Sequence, residues 1–349
     1  MNRSKVLILV PPLSSLGGVA LHYKELKPYL KDNVSYFQVY KTKKAFNYYK
    51  LVFNYICFLL TLIFKNPSKV VVNLSLKSGF YSKNIYIRVA KFLNRKIIIF
   101  IHGWSVSDES LLETKKGQFI LNTSDAFIVL SNYIKNKLRS VIGDNQKKIL
   151  LTTTKVDDCL LKDFDITCRD GIIKKFLFLS RVEKNKGIYL ALEIFKLLQR
   201  DYPYLEFDIA GDGSAVEQIK QYIIDNAINN VNLLGRLDGE NRINAFQNGD
   251  LFFLLSESEG MPAALLEAMA FGLPVVTTPV GGIPDFFIDG QMGIMSNSKD
   301  PMFYYEKIKK MIESPKLVKS ISENNYKYAK EHFYASKVAK NLQNFFNEI

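Results

Sequence analysis

Two glutamates lie eight positions apart in a stretch that is otherwise almost entirely apolar. The stretch is SESEGMPAALLEAMAFGLPVV, with Glu259 before a predicted helix and Glu267 within it. Proline suits the start of a helix and glycine its end, so we predict a helix from Pro262 to Phe271. A helix that is apolar all round is normally buried. Glu267 is therefore expected in or near a core.

A buried carboxylate is costly unless it is paired or hydrogen-bonded, and no Lys or Arg lies within helical reach of Glu267. Two interpretations stay open: Glu267 bonds the backbone or a distant arginine, or it bonds a ligand. In the second case the helix would be open to solvent along the stripe that bears Glu267. Glu259 follows a predicted strand. There it is either an acid stabilised by the dipole at the helix N-terminus, or a residue that faces a ligand.

A second group of charged residues follows another predicted strand. The segment SRVEKNKG places Arg181, Lys184 and Lys186 between that strand and the next helix. Cations beside a helix N-terminus suit a diphosphate. A solvated turn is the alternative interpretation.

Three further features lie after predicted strands. Gly17 and Gly18 in PPLSSLGGVA would let a ligand approach the backbone, His102 ends the run IIIFIHG, and Gly211 lies in AGDG. Ordinary turns and a structural histidine are the alternatives. The sequence has no G-x-G-x-x-G fingerprint and no His/Cys cluster with zinc spacing, which argues against a dinucleotide and a metal.

Apolar strands that alternate with helices must position these residues. Runs such as KVLILV, KVVVNLSL and DAFIVLS fill the first half, and KKFLFLSR, LEFDIAGDG, LFFLLSES and PVVTT fill the second. The alternation predicts parallel sheets covered on both faces, with ligands at the carboxyl ends of the strands. A polar stretch at 157–171 suggests the link between two doubly wound α/β domains, 1–165 and 172–330. A last helix at 331–349 is expected to pack back on the first domain.

The charge of the chain is uneven. Residues 1–100 contain 17 Lys and Arg against two acids, a net of +15, whereas the whole chain of 349 residues has +13, leaving 13 − 15 = −2 for the rest. This excess predicts an anionic partner, lipid or nucleic acid, or else a solvated lysine-rich surface. The apolar run 51–64 is too short to span a bilayer. We predict a buried helix there, with an interfacial membrane helix as the alternative.

Together these segments resemble the retaining glycosyltransferases of the GT-B fold, family four, also described as group 1. The match is most specific at the E-x7-E signature from Glu259 to Glu267, followed by VGGIPD, and at SRVEKNKG, which is similar to the family's GR-x-x-x-KG element. Pro262 departs from the EGFG form of the signature and removes one backbone donor. The resemblance implies two facing Rossmann-like domains with an interdomain cleft.

The resemblance also implies a role for each site residue. Arg181 and Lys186 would neutralise the diphosphate of the donor, Glu267 would accept hydrogen bonds from its ribose, and Glu259 and His102 would lie by the transferred sugar. The remaining implied donor contacts are Gly17, Gly18, Gly211, Arg236, Leu237, Gly260, Met261 and Ala263.

The implied function is transfer of a hexosyl-type sugar, with retention, from a UDP- or GDP-sugar to a lipid-linked or growing surface polysaccharide of the O-antigen, capsule or exopolysaccharide type. No metal and no cofactor are expected. The enzyme would work in the bacterial cytoplasm, peripherally on the inner face of the cell membrane through its basic first domain. The alternatives are a nucleotide-sugar epimerase, a non-catalytic nucleotide-sugar binder and, supported by no recognisable motif, a nucleic-acid-binding protein.

Overall fold

The computed structural model describes residues 5–15, 17–30, 33–40, 48–75, 83–103, 109–143 and 146–349, and it divides the chain into two compact units. The first unit comprises the residues up to Thr154 together with Ala335–Ile349, and the second comprises Lys155–Tyr334. The chain therefore enters the second unit before the predicted boundary at 165, and it returns to the first unit with its last helix.

The first unit is a parallel sheet with helices. Its strands are β1 (Val6–Val10), β2 (Val34–Gln38), β3 (Lys69–Ser75), β4 (Lys96–Gly103), β5 (Ala126–Val129) and β6 (Lys148–Leu151). Its helices are α1 (Gly18–Leu26), α2 (Tyr48–Phe64), α3 (Asn84–Phe92), α4 (Ser110–Glu113), α5 (Lys115–Thr123), α6 (Asn132–Ile142) and the last helix of the chain (Ala335–Glu348). The strands lie in the order β2-β1-β3-β4-β5-β6.

The second unit repeats this plan. Its strands are β7 (Lys175–Leu179), β8 (Glu206–Ala210), β9 (Val231–Gly235), β10 (Leu251–Leu254), β11 (Val275–Thr277) and β12 (Gly293–Met295). Its helices are α7 (Ile188–Asp201), α8 (Val216–Asp225), α9 (Gly239–Asn248), α10 (Ala263–Ala270), α11 (Pro301–Ile312) and α12 (Pro315–His332), so the last helix of the chain is α13. The sheet order is β12-β11-β10-β7-β8-β9.

The central strands form because they are continuous apolar runs that are buried on both faces, as in parallel sheets covered by helices. Every residue of β1, β5 and β10 is buried. In the second unit, Phe176, Phe195, Phe207 and Phe253 pack with ring centroids 5.3–6.3 Å apart. The prediction of two doubly wound α/β domains is confirmed.

The polar stretch at 157–171, predicted as the link between the domains, is anchored in the second unit. Phe164 packs edge-on against Phe271 with centroids 5.0 Å apart. The buried guanidinium of Arg169 donates hydrogen bonds to the carbonyls of Phe246 and Phe271, at 2.7 and 3.1 Å. The composition of the stretch suggests a linker between domains. It does not reveal this packing, because the partners of Phe164 and Arg169 lie far along the chain.

Helix α2 is buried along one face only, which corrects the prediction of a buried helix. Asn54, Phe58 and Leu62 are 8%, 1% and 0% exposed. The opposite face is apolar and exposed. A helix that is apolar on every side does not reveal from its sequence which sides find partners. Within the described ranges, no helix is long and apolar enough to cross a membrane.

Candidate functional site

The strand order of the second unit reverses between the neighbours β7 and β10, since β8 and β9 lie on one side and β11 and β12 on the other. In open parallel sheets, ligands bind outside the carboxyl ends of the strands at such a reversal. Lys186 follows β7 and Glu259 follows β10. The fold therefore brings two of the predicted site residues to this place.

Lys186 and Glu259 form an ion pair there, with Nζ 2.7 Å from Oε1. The hydroxyl of Ser256 donates to the same carboxylate oxygen at 2.7 Å. The side chains of the pair are only 10% and 12% exposed. An ammonium group has three donors, so the pair leaves Lys186 with capacity for a further anionic acceptor.

A close backbone contact positions Lys186. The lysine ends a short 3-10 turn, and the next residue, Gly187, is left-handed with a φ of 75°. A Cβ at Gly187 would lie 2.1 Å from the carbonyl oxygen of Leu255, just beyond the end of β10. Only glycine lets the turn approach this strand end so closely, and the approach carries Lys186 to Glu259.

Glu267 lies on α10 and pairs with Arg242, which lies on α9. The guanidinium donates to Oε2 through Nε at 3.1 Å and through Nη2 at a shorter distance. Of the two interpretations of Glu267, the bond to a distant arginine is therefore observed. The expected opening at Glu267 is wrong, because the residue is 6% exposed, whereas Ala263 and Ala264, in the first turn of the helix, are half-buried.

Lys155 is a buried cation near this pair. Its pKa is lowered to about 8 by burial, while the negative charges of Glu267 and Asp157 oppose the shift. Neither Lys155 nor Arg242 was among the residues predicted from the sequence. A single sequence carries no sign of them, since each is brought to Glu267 by the fold and not by a local motif.

Other predicted donor residues lie at the ends of the same strands. Arg181 follows β7, but its side chain is 69% exposed and pairs with Glu183 at 2.8 Å. The structure thus places Arg181 in a solvated ion pair, separate from the pair made by Lys186. Arg236 and Leu237 follow β9, the first exposed and the second half-buried.

The turn from β10 into α10 contains the remaining residues of the signature. Gly260 is half-buried, Met261 is 7% exposed, and Ala263 is the first residue of the helix. Pro262 is the N-cap of α10, so the helix begins at Ala263, one position after the predicted start.

Gly211 has a structural reason to be glycine. Its φ is 146°, and a Cβ there would lie 1.8 Å from the carbonyl oxygen of Ser180. Gly211 also lines a cavity of about 180 Å³, together with Val182, Val216 and Leu233. The cavity lies at the carboxyl ends of β8 and β9, beside the residues that precede Arg236.

In the first unit, Gly17 and Gly18 lie at the start of α1, after β1. Both are exposed, and a Cβ at either position would meet nothing within 4 Å. The fold itself thus places no steric demand on them, and their predicted contact with a donor stays a prediction.

His102 is the next-to-last residue of β4 and belongs to a buried polar network centred on Asn73. The Asn73 amide donates to the carbonyl of Leu9 at 2.7 Å, so its oxygen faces Tyr23, which donates at 2.8 Å, and Nε2 of His102 at 2.6 Å. His102 must therefore donate from Nε2, and Nδ1 is left as an acceptor. Burial, assisted by the charge of Lys83, lowers the pKa of His102 to about 3, which keeps the ring neutral.

No group of three or more His, Cys, Asp or Glu side chains is placed to hold a metal ion in the part of the chain that the structure describes.

Comparisons with known proteins give a family match and a similar fold. Residues 169–328 match the family of glycosyl transferases group 1. The chain is 24% identical to the uncharacterized glycosyltransferase MJ1178 of Methanocaldococcus jannaschii over 96% of this chain and 95% of that protein. It is 28% identical to the amylovoran biosynthesis glycosyltransferase AmsK of Erwinia amylovora, over 61% of this chain and 54% of that protein.

Among solved structures, the fold is similar to that of Anabaena Alr3699/HepE in complex with UDP-glucose. The TM-score is 0.75 at 17% identity, and the match covers 99% of this chain and 100% of that one. The likeness extends over both units and supports the two-domain Rossmann-like fold.

Proposed function

Because residues 169–328 match the family of glycosyl transferases group 1, we propose that this chain moves a hexosyl-type sugar from a nucleotide-sugar donor to a glycan acceptor, with retention of configuration at the transferred carbon. The observation that carries this proposal is the ion pair of Lys186 and Glu259 at the strand reversal of the second unit. A buried cation at that point suits a diphosphate, and the adjoining carboxylate suits sugar hydroxyls.

In the proposed reaction, the bond between the sugar carbon C1 and the diphosphate oxygen breaks while the acceptor hydroxyl forms a new bond to C1 on the same face. The hydroxyl proton passes to the departing diphosphate. Negative charge builds on the leaving oxygen, and Lys186 would stabilise it without a metal. Such preorganised charges act strongly where water is excluded.

The pairing of Glu267 with Arg242 supports a ribose site on α10. The arginine holds the carboxylate in a fixed orientation. A carboxylate is an acceptor only, so it would receive hydrogen bonds from the two ribose hydroxyls. We place the base at the apolar cavity beside Gly211, at the ends of β8 and β9.

For the donor we propose a UDP- or GDP-sugar, a choice supported by the UDP-glucose bound to HepE. For the acceptor we propose a lipid-linked or growing surface polysaccharide, supported by the role of AmsK in amylovoran biosynthesis. A lipid-linked acceptor would place the enzyme at the cytoplasmic face of a membrane.

The donor site is tested by thermal-shift and calorimetric titration of the full chain with UDP-, GDP- and ADP-sugars. One nucleotide class should raise the melting temperature, and Glu267→Ala should abolish that rise. Glu257→Ala is the matched control, because Glu257 is an exposed carboxylate in the loop before α10. It should bind the donor as the wild type does.

A melting temperature that no nucleotide sugar changes would contradict the donor site, as would a rise that survives in Glu267→Ala. The bound donor should then be incubated with candidate glycan acceptors and the products examined by NMR. An epimerised donor with no extended glycan would identify an epimerase instead of a transferase.

A further inference from the structure

Helix α2 has two apolar faces, and only one of them belongs to the core. Phe58 and Leu62 are almost completely buried beneath it. On the opposite face, exposed apolar side chains follow one another at helical spacing over the whole length of the helix. They are Tyr49, Val52, Phe53, Ile56, Leu59, Leu60, Ile63 and Phe64, with exposures from 37% to 85%. We name this set the α2 face.

Single exposed apolar residues are normal, but a continuous apolar stripe marks a surface that binds something. The neighbouring helix α3 adds to the stripe's surroundings, since Phe92 at its end is 85% exposed. The α2 face is also long enough to matter: 17 residues extend about 25 Å at ~1.5 Å per residue. This length falls short of the ~30 Å hydrocarbon core, so the helix suits lying on a bilayer and not crossing it.

The charges around the α2 face select the kind of surface. Lys50 lies at one end of the helix, Lys65 directly after the other end, and both are exposed. Arg95 donates a hydrogen bond to the carbonyl of Leu62, at the same end as Lys65. The sequence contains no Asp or Glu between residues 33 and 107. An apolar stripe with cations at its ends, in a segment of the sequence without acids, complements an anionic lipid surface.

We propose that the α2 face docks this protein on an anionic lipid bilayer, with the helix parallel to the membrane plane. The apolar side chains enter the boundary between headgroups and acyl chains, while Lys50 and Lys65 contact lipid phosphates. A protein partner that used the same stripe would leave these cations without a matching charge unless it were acidic. This inference is independent of the donor chemistry, because α2 lies in the first unit and the proposed donor contacts Lys186, Glu259 and Glu267 lie in the second.

The test is vesicle flotation of the full chain in low and high salt. Vesicles of phosphatidylcholine with about one third phosphatidylglycerol are compared with vesicles of phosphatidylcholine alone. The protein should float with the anionic vesicles in low salt, and the bound fraction should fall steeply at 0.5 M NaCl because the cations are screened. It should bind the neutral vesicles at least tenfold more weakly.

Substitution separates the two parts of the surface. Phe53→Gln combined with Ile56→Gln should lower binding to anionic vesicles about tenfold, because two apolar side chains that the bilayer would partly bury are lost. Ile224→Gln combined with Met302→Gln is the matched control, since both residues are exposed apolar positions on helices of the second unit. It should leave binding unchanged.

A second variant, Lys50→Glu with Lys65→Glu, should abolish the preference for anionic lipid while it leaves the apolar stripe intact. All of these positions are exposed, so the melting temperatures and the donor-induced thermal shift should match the wild type. If donor gave no thermal shift in the wild type, that result would count against the donor site and not against the α2 face.

The proposal is overturned if the wild type does not float with either vesicle, or if it floats equally with both at both salt concentrations. It is also overturned if Phe53→Gln with Ile56→Gln floats as the wild type does. A wild-type dimer in sedimentation analysis that this variant converts to a monomer would assign the α2 face to a second copy of the chain, and would equally overturn it.

Discussion

At the scale of single residues, the two glutamates of the signature are each held by a cation, but only one of the cations was predictable. Lys186 is placed by a local motif whose spacing after β7 is fixed, so the sequence indicates it. Arg242 reaches Glu267 from another helix, and nothing in its own neighbourhood marks it. Asn73 was missed for the same reason, since its partners come from three other segments. Residues that act through tertiary contacts leave no trace in one sequence.

His102 gives a pH dependence at this scale. Its folded-state pKa of about 3 lies below the ordinary value of 6.5, so below pH 6.5 the unfolded chain binds a proton that the folded chain does not. Stability is then fully present above pH 6.5 and is lost as the pH falls towards 3. At pH 5 the loss reaches about 2 kcal/mol. Urea unfolding at pH 7.5 and pH 5 measures it.

Two variants isolate this contribution. His102→Gln should lose about 2 kcal/mol less than the wild type between the two pH values. His332→Gln should follow the wild type, because His332 is an exposed histidine whose side chain is 51% accessible. Equal losses in all three proteins would show that His102 is protonated in the folded state.

At the scale of elements, the central strands were predictable and several of the outer ones were not. The sequence indicates β1, β3, β4 and β5 because each is a buried apolar run. The edge strands β2 and β6 are half-exposed, and the edge strand β12 has only three residues, so none gives a clear pattern. Helix α2 shows the converse: its type was predictable, but its partners were not.

Gly187 tests how one element positions another. Gly187→Ala would force a Cβ against the Leu255 carbonyl oxygen, 2.1 Å away. We expect a cost of at least about 2 kcal/mol and weaker donor binding, because Lys186 would move away from Glu259. Gly239→Ala is the control, since Gly239 is also left-handed but its Cβ would meet nothing within 4 Å. Chemical unfolding and donor titration should separate the two, and equal effects would exclude the strand contact as the cause.

At the scale of the whole molecule, the chain forms two units of the same plan that differ in charge. The excess positive charge lies within the first 100 residues, in the unit that carries the α2 face, while the residues proposed for the diphosphate, sugar and ribose of the donor lie mainly in the second. Composition predicts the difference in charge, because net charge is a sum over the residues of a segment. It did not predict where the polar stretch at 157–171 packs, since that depends on Phe164 and Arg169 finding distant partners.

The last helix of the chain tests the independence of the two units. Helix α13 buries Val338, Leu342 and Phe346 within the first unit, and the Phe346 carbonyl accepts a hydrogen bond from Lys69 on β3 at 2.5 Å. Burial of such side chains contributes about 1.5–3 kcal/mol each, a large part of the ~5–15 kcal/mol that stabilises a typical domain. A chain that ends at Tyr334 should therefore melt in two steps, with the first unit far less stable. The second unit should keep its donor-induced shift.

Phe346→Ala in the full chain should show a smaller loss of stability in the transition of the first unit. Asn344→Ala, at an exposed position on the same helix, should show no loss. A single unchanged transition in the shortened chain would mean that α13 adds nothing to the first unit.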